Sequence, residues 1–378
     1  MSKKGNFAIV VSGGPAPAIN SAIASAAIEA INKGYQVFGL QQGFRKISLG
    51  EGNALIKLKL ENVSSIHNTG GSILSTARFN PLSKEIYIEN LIKAFKENQI
   101  DKLIIIGGEG SAWLAHQLAV NFDWLSVAHI PKTIDNDLIL PNEYPSFGFE
   151  TARYVGTKII ETLMIDAKTT NRWFIVASMG RKAGFLALGL GVASGATLTI
   201  IPEEFGDRQI SVDEIAKIIF GSIQKRAAQG KLYGVAIVAE GILDLIDPNS
   251  SPALQNISHD ELGRITYWQI ELGDVILPPL KKLCKDNNLE IKIVPKNIGY
   301  ELRCHQPVSF DIEYTRFLGY GAVDFLLKGI SAFTVAREFD RLSYQLIADQ
   351  IRADGTIQSR KVNLNSDLYK VARNFMIR

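Results

Sequence analysis

Two near-continuous apolar runs in this chain end on paired glycines. FAIVVS (7–12) leads into Gly13–Gly14, and DKLIII (101–106) leads into Gly107–Gly108. An unbroken apolar run reads as a strand buried on both faces, as in a parallel sheet. Each run is followed by residues at helical spacing, over 20–33 and 111–121. Strand, glycine turn, helix, repeated, is the pattern of a parallel sheet covered by helices on both faces.

The same reading predicts strands over 35–40, 173–178, 198–201, 234–239 and 332–338, and a short one over 291–295. It predicts helices over 88–97, 151–164, 212–226 and 312–329. Residues 260–287 hold one or two helices, which Pro278–Pro279 must interrupt. Residues 41–81 are loop-rich, with Gly70–Gly71 inside them. The 378 residues suffice for two medium domains, and 46% hydrophobic residues supply ample core. Two α/β units sharing chain crossings are expected, since no fixed-period repeat or low-complexity linker is present.

Lys plus Arg total 41 against 38 Asp plus Glu, a net charge of +3, with no basic tail. That balance argues against nucleic acid but allows local cationic pockets for small anions. The two cysteines, Cys284 and Cys304, form no CxxC pair, and the five histidines form no HExxH signature. MSKKGNFAIVVSGG reads as a strand rather than a signal peptide, and no apolar stretch reaches the roughly 18 residues of a membrane helix. A cytoplasmic protein without membrane partners is expected.

The two turns, SGGPAPAIN (12–20) and GGEGSA (107–112), let backbone amides approach an anion in front of a helix N-terminus. Neither is a GxGxxG fingerprint or a lysine-bearing P-loop. Singly, each fits tight strand-to-helix geometry equally well. Together, on strands of one sheet, they favour two amide cradles lining one cleft. PKTIDND (131–137) adds one cation and two carboxylates in seven residues.

With GGSILSTARF (70–79), MGRKAG (179–184), AEG (239–241) and GYELR (299–303), these stretches resemble the phosphofructokinase family in order and spacing over residues 5 to about 345. GGDG-type turns alone would also admit NAD and lipid kinases, but TIDND with MGR at this separation is more specific. The resemblance implies an α/β protein of two Rossmann-like three-layer α/β/α domains, with the active site in the cleft between them. Residues 1–150 and 305–345 would bind the phosphoryl donor, and 151–304 and 346–378 the sugar phosphate.

The implied reaction is phosphoryl transfer to the 1-hydroxyl of fructose 6-phosphate. Its catalytic set would be Asp135 as base, Thr133, Arg78, Arg181 and Gly14. Ser12, Gly13, Gly14, Arg78, Gly107, Gly108, Gly110, Ser111 and Lys132 would contact the donor. Thr133, Asp135, Asp137, Arg172, Met179, Gly180, Arg181, Glu240, Tyr300 and Arg303 would contact the sugar phosphate. Mg2+ would sit on Glu109 and Asp137, with Glu109 in place of the usual aspartate. Arg172 reaches a neighbouring subunit's site in the family, which implies a homo-oligomer.

Several positions depart from the family pattern. Ala18 stands where glycine is usual, and is strained if positive φ is needed there. Tyr300 replaces a common histidine, and Ala24 replaces the effector-binding arginine of short bacterial enzymes. Residues from about 246 to 296 are longer than in those enzymes. Gly110 is typical of ATP users, whereas Lys132 is typical of pyrophosphate users. A missing carboxylate at Gly110 leaves room for a nucleotide α-phosphate, so ATP is the expected donor and pyrophosphate the alternative. A second alternative is a non-catalytic subunit that only binds the sugar phosphate.

Overall fold

Isoleucine-, valine- and leucine-rich runs build two sheets. The computed structural model describes residues 5–255 and 270–378. Two compact units divide the chain: Met1–Ile134, Leu138–Ala152 and Arg303–Ser359 form the first, and Asp135–Asp137, Arg153–Leu302 and Arg360–Arg378 the second. Residues 346–359, expected with the sugar-phosphate domain, thus lie in the first unit, and Asp135–Asp137 lie in the second.

The first unit holds β1 (Asn6–Val11), β2 (Val37–Leu40), β3 (Leu55–Leu58), β4 (Ile100–Gly107), β5 (Ser126–Thr133) and β6 (Phe147–Gly148). The second holds β7 (Arg172–Ser178), β8 (Leu198–Ile200), β9 (Gly234–Ala239) and β10 (Lys292–Ile298). The first unit resumes with β11 (Phe333–Glu338) and β12 (Arg341–Leu346).

The first sheet has eight strands, in the order β12-β11-β5-β4-β1-β2-β3, with β6 paired to β5. Its central pairs are parallel, and only the edge pairs β2–β3 and β11–β12 are antiparallel. Side chains alternate across the sheet, so each strand supplies two cores. Phe7, Ile9 and Val11 pack in one cluster with Ala22, Ala26 and Leu318, from the helices Ile19–Asn32 and Ser309–Leu327. Ala8 and Val10 pack in the other with Phe95 and Leu118, from the helices Glu85–Glu97 and Glu109–Asn121. Small residues let the first helix pair approach closely: a methyl at Gly319 would strike Ser25.

The second sheet has four parallel strands, in the order β10-β7-β9-β8. Trp173, Ile175 and Val238 pack with Ile219 and Ile276 from the helices Val212–Ala227 and Leu272–Asp286. That last helix corrects one expectation. Pro278 and Pro279 lie inside it and do not end it. Each removes a helical N–H and crowds the preceding turn, but Leu272, Val275, Ile276, Leu280 and Cys284 bury one continuous face around them. Residues 260–269 of the expected 260–287 segment, and 256–269 within 246–296, lie outside the described residues. Among the described residues no helix is long and apolar enough to cross a membrane.

Candidate active site

In the first unit the candidate residues collect at the C-terminal ends of β1, β4 and β5, where open α/β sheets place their ligands. Ser12 follows β1, and its N–H donates to the carbonyl of Ile106 at the end of β4 (2.9 Å). Gly13 takes φ +86° and Gly14 follows it, giving the turn the left-handed step that glycine permits. The loop 70–79 closes on this turn. Ser12 forms a bridge with Ala77, Gly13 N–H donates to Ala77 O (3.1 Å) and Thr76 Oγ1 donates to Gly13 O (2.7 Å). Arg78, next after Ala77, is thereby carried to the first turn.

Lys132 is 4% exposed, and its Nζ donates to the carbonyl of Gly14. A methyl placed on Gly13 would lie 3.7 Å from that ammonium. Arg303 comes to the same turn. Its Nε donates to Pro15 O (3.4 Å), and a methyl at Gly14 would collide with its guanidinium. The sequence reading assigns Arg303 to the sugar phosphate; the fold seats it against the first glycine turn. Ala18 takes φ +71°, so the strain foreseen for alanine there is present, at the residue preceding the helix Ile19–Asn32.

The second turn begins at Gly107, where a methyl would strike Ser111 and crowd Ser12 O. Gly108 precedes the helix Glu109–Asn121, and a methyl at Gly110 would meet nothing within 4 Å. The Glu109 carboxylate accepts from Ser359 Oγ (3.3 Å). Thr133 ends β5; its carbonyl accepts from Ser146 Oγ (2.9 Å), and it pairs with Gly148 of β6. Asp311 fixes that neighbourhood, accepting from Gly148 N (2.9 Å), Thr151 N (2.8 Å) and Thr151 Oγ1 (2.5 Å). Burial raises the Asp311 pKa against these hydrogen bonds.

In the second unit three parallel strands end together. Register pairs Ser178 of β7 with Ala239 of β9 and Ile298 of β10. Met179–Arg181, Glu240 and Tyr300 therefore emerge side by side. Met179 N–H donates to Ile298 O (3.2 Å), and Gly180 N–H to Glu240 Oε1 (3.4 Å). Gly180 needs φ +131° for this path. Arg181 N–H donates to Asp135 Oδ2 (3.5 Å), while its Nε lies 3.9 Å from Asp244. Asp137 presents its main-chain carbonyl to Arg360 N–H (2.7 Å). The loop ends at Gly184, whose N–H donates to Glu203 Oε1 (2.9 Å). Neither Glu203 nor Asp244 carries a motif by which the sequence could have shown these contacts.

Arg172 is not brought to this cluster within its own chain. It opens β7, whereas Met179–Arg181 follow the end of that strand, a separation of roughly 20 Å at about 3.3 Å per residue. Its Nε lies 3.6 Å from Asp166.

Among the described residues no group of three or more His, Cys, Asp or Glu could hold a metal by itself. Glu109, in the first unit, and Asp137, in the second, each offer hard carboxylate oxygens of the kind Mg2+ takes.

Comparison with known proteins gives the family. The chain is 42% identical, over 98% of its length and 90% of the relative's, to the pyrophosphate–fructose 6-phosphate 1-phosphotransferase of Thermotoga maritima. It is 30% identical, over 96% of its length and 98% of the relative's, to an ATP-dependent 6-phosphofructokinase of Lactobacillus gasseri. The crystal structure of a pyrophosphate-dependent phosphofructokinase from Marinobacter aquaeolei shares the fold, with a TM-score of 0.72 at 18% identity, covering 99% of this chain and 92% of that one. Residues 6–326 match the phosphofructokinase family, and this chain belongs to that family of enzymes.

Proposed function

We propose that this enzyme transfers a phosphoryl group to the 1-hydroxyl of fructose 6-phosphate, giving fructose 1,6-bisphosphate, with pyrophosphate as donor. The observation that carries the reaction is the hydrogen bond between Asp135 Oδ2 and Arg181 N–H. It orients the carboxylate that accepts the proton of the attacking hydroxyl. Thr133 and Arg78 act as hydrogen-bond donors to the moving phosphoryl group. Met179, Gly180, Arg181, Glu240 and Tyr300 hold the sugar phosphate, and Asp137 assists them.

The donor lies on the two glycine turns, against Ser12, Gly13, Gly14, Gly107, Gly108, Gly110 and Ser111. Glu109 and Asp137 would be the residues to hold Mg2+, which would supply neutralisation of phosphate charge. Lys132 supports pyrophosphate over the expected ATP. Its ammonium is buried at the first turn, where it matches a compact, highly charged anion that has no adenosine to bind elsewhere. The 42% identity to a pyrophosphate-named relative adds to that weight. ATP is the second reading, favoured by the open space at Gly110.

Arg172, at the far end of β7, serves a neighbouring subunit's site, and the active enzyme is a homo-oligomer. An NAD or lipid kinase would leave the Asp135–Arg181 pairing without a use.

The test is fructose 1,6-bisphosphate formation from fructose 6-phosphate and Mg2+, with pyrophosphate and ATP in parallel reactions. Product with pyrophosphate alone is expected. Product with ATP alone would reverse the donor assignment. Product with neither would leave a sugar-phosphate-binding protein without this chemistry.

A further inference from the structure

His129 has no part in the roles above, yet it is fully buried in β5. An imidazole there is costly unless both ring nitrogens find partners. Nε2 lies 2.8 Å from the carbonyl oxygen of Gly107, and Nδ1 lies 3.0 Å from Thr334 Oγ1. A carbonyl can only accept, so Nε2 carries the hydrogen and Nδ1 accepts from the threonine hydroxyl. The ring is neutral: burial first, and then the charge of Lys132, bring its pKa down to about 4.

Gly107 opens the second glycine turn. A peptide between two glycines is easily reoriented, because neither side chain restricts its torsions. Gly107 ends β4 in register with Pro131 of β5, and His129 adds a side-chain hold on its carbonyl. Among the described residues every peptide is trans, so the N–H of Gly108 points opposite to the C=O of Gly107. The Gly108 amide is therefore turned away from the buried ring. A methyl at Gly108 would meet nothing nearer than Lys132 O at 3.5 Å, so the backbone there is open to close approach.

We infer that His129 is a positioning residue for the phosphoryl donor: by holding the Gly107 carbonyl, it aims the Gly108 amide at a donor phosphate oxygen. This rests on the reading that the 107–111 turn binds the donor. Histidine at 129 suits the task because it reaches the carbonyl from within the sheet and adds no charge there.

Two amide side chains separate this role from simple packing. His129→Gln sets an N–H near the Nε2 position, whereas His129→Asn stops short of Gly107. His129→Asn is expected to raise the Michaelis constant for pyrophosphate about tenfold or more, the worth of a charge-assisted hydrogen bond, with that for fructose 6-phosphate little changed. His129→Gln is expected to restore most of the loss. Equal effects of Asn and Gln, or a parallel rise for both substrates, would overturn the inference.

A second measurement needs neither turnover nor a folded variant. In the wild-type protein, 15N NMR of histidine is expected to show the neutral Nε2–H tautomer between about pH 6 and 8, and the Gly108 amide to shift on pyrophosphate addition. An Nδ1–H tautomer, or a Gly108 amide that ignores pyrophosphate, would overturn the inference even in an active enzyme. Inactivity of the wild type with both donors would instead remove the functional reading, and the NMR result would still decide the role of His129.

Discussion

Asp135 and Arg181, 46 positions apart, meet through a carboxylate oxygen and a main-chain amide 3.5 Å apart. The contact joins Asp135 to the MGRKAG stretch within the second unit. Asp135→Asn keeps an oxygen for that amide and removes the base. Turnover should fall about 10²- to 10⁴-fold, while fructose 6-phosphate binding, read by calorimetry, stays close to wild type. Turnover kept within tenfold would place the base elsewhere.

Lys132→Met removes the ammonium from the first turn and keeps the side-chain volume. The Michaelis constant for pyrophosphate should rise about tenfold or more, in line with losing one charge-assisted hydrogen bond. If steady-state kinetics instead show ATP use impaired and pyrophosphate use intact, the donor assignment is reversed.

Gly110→Asp places a carboxylate in open space, in the first turn of the helix Glu109–Asn121. An acidic residue is tolerated there by the helix dipole, so the variant should fold normally. Any ATP-dependent activity should vanish, with pyrophosphate-dependent activity retained. Unchanged ATP kinetics would show that the donor phosphates lie away from this turn.

Asp311→Asn tests the anchor behind Thr133. The carboxylate accepts three hydrogen bonds from Gly148 and Thr151 in a buried setting. An amide has one accepting oxygen, and its N–H2 group would face a donor. A loss of about 2 kcal/mol in urea unfolding is expected for leaving buried donors unpaired. A loss under about half a kcal/mol would mean that other groups hold this turn.

His129 also sets a pH dependence of stability. Its pKa in the folded protein, about 4, lies below the ordinary 6.5. Between those values the unfolded chain binds a proton that the folded chain refuses. The neutral ring therefore costs nothing above about pH 6.5, and stability falls as pH drops toward about 4, by up to about 3 kcal/mol from this residue. Unfolding curves across that range should flatten by that amount in His129→Gln. An unchanged slope would show that the ring protonates in the folded protein.

The strands β1 and β4 and the helices after them were legible because they rest on local signals: unbroken apolar runs, glycines at their ends and helical spacing beyond them. Elements whose residues send mixed signals escaped. β5 carries His129, Pro131 and Lys132 among its apolar residues and does not read as a buried strand. The helix Phe185–Ser194 is apolar on nearly every side, so no periodicity marks it. β3 and β12 are antiparallel edge strands with exposed residues, and the helix Asp367–Phe375 buries only Ala372.

By itself, then, the sequence determined the α/β class, the two glycine turns and the stretches able to carry phosphoryl chemistry. Each depends on residues adjacent in the chain, where conformational preference and burial act together. Tertiary structure alone decided which side chains meet. Loop packing joined Asp135 to Arg181, and strand register set Met179 beside Ile298. Chain reversal brought Arg303 to Pro15, 288 positions away. The length of β7 carried Arg172 away from Arg181, and His129 met Gly107 across the sheet. A polar side chain advertises no partner in sequence. Its partner is fixed only when the strands align and burial makes an unsatisfied donor or acceptor costly.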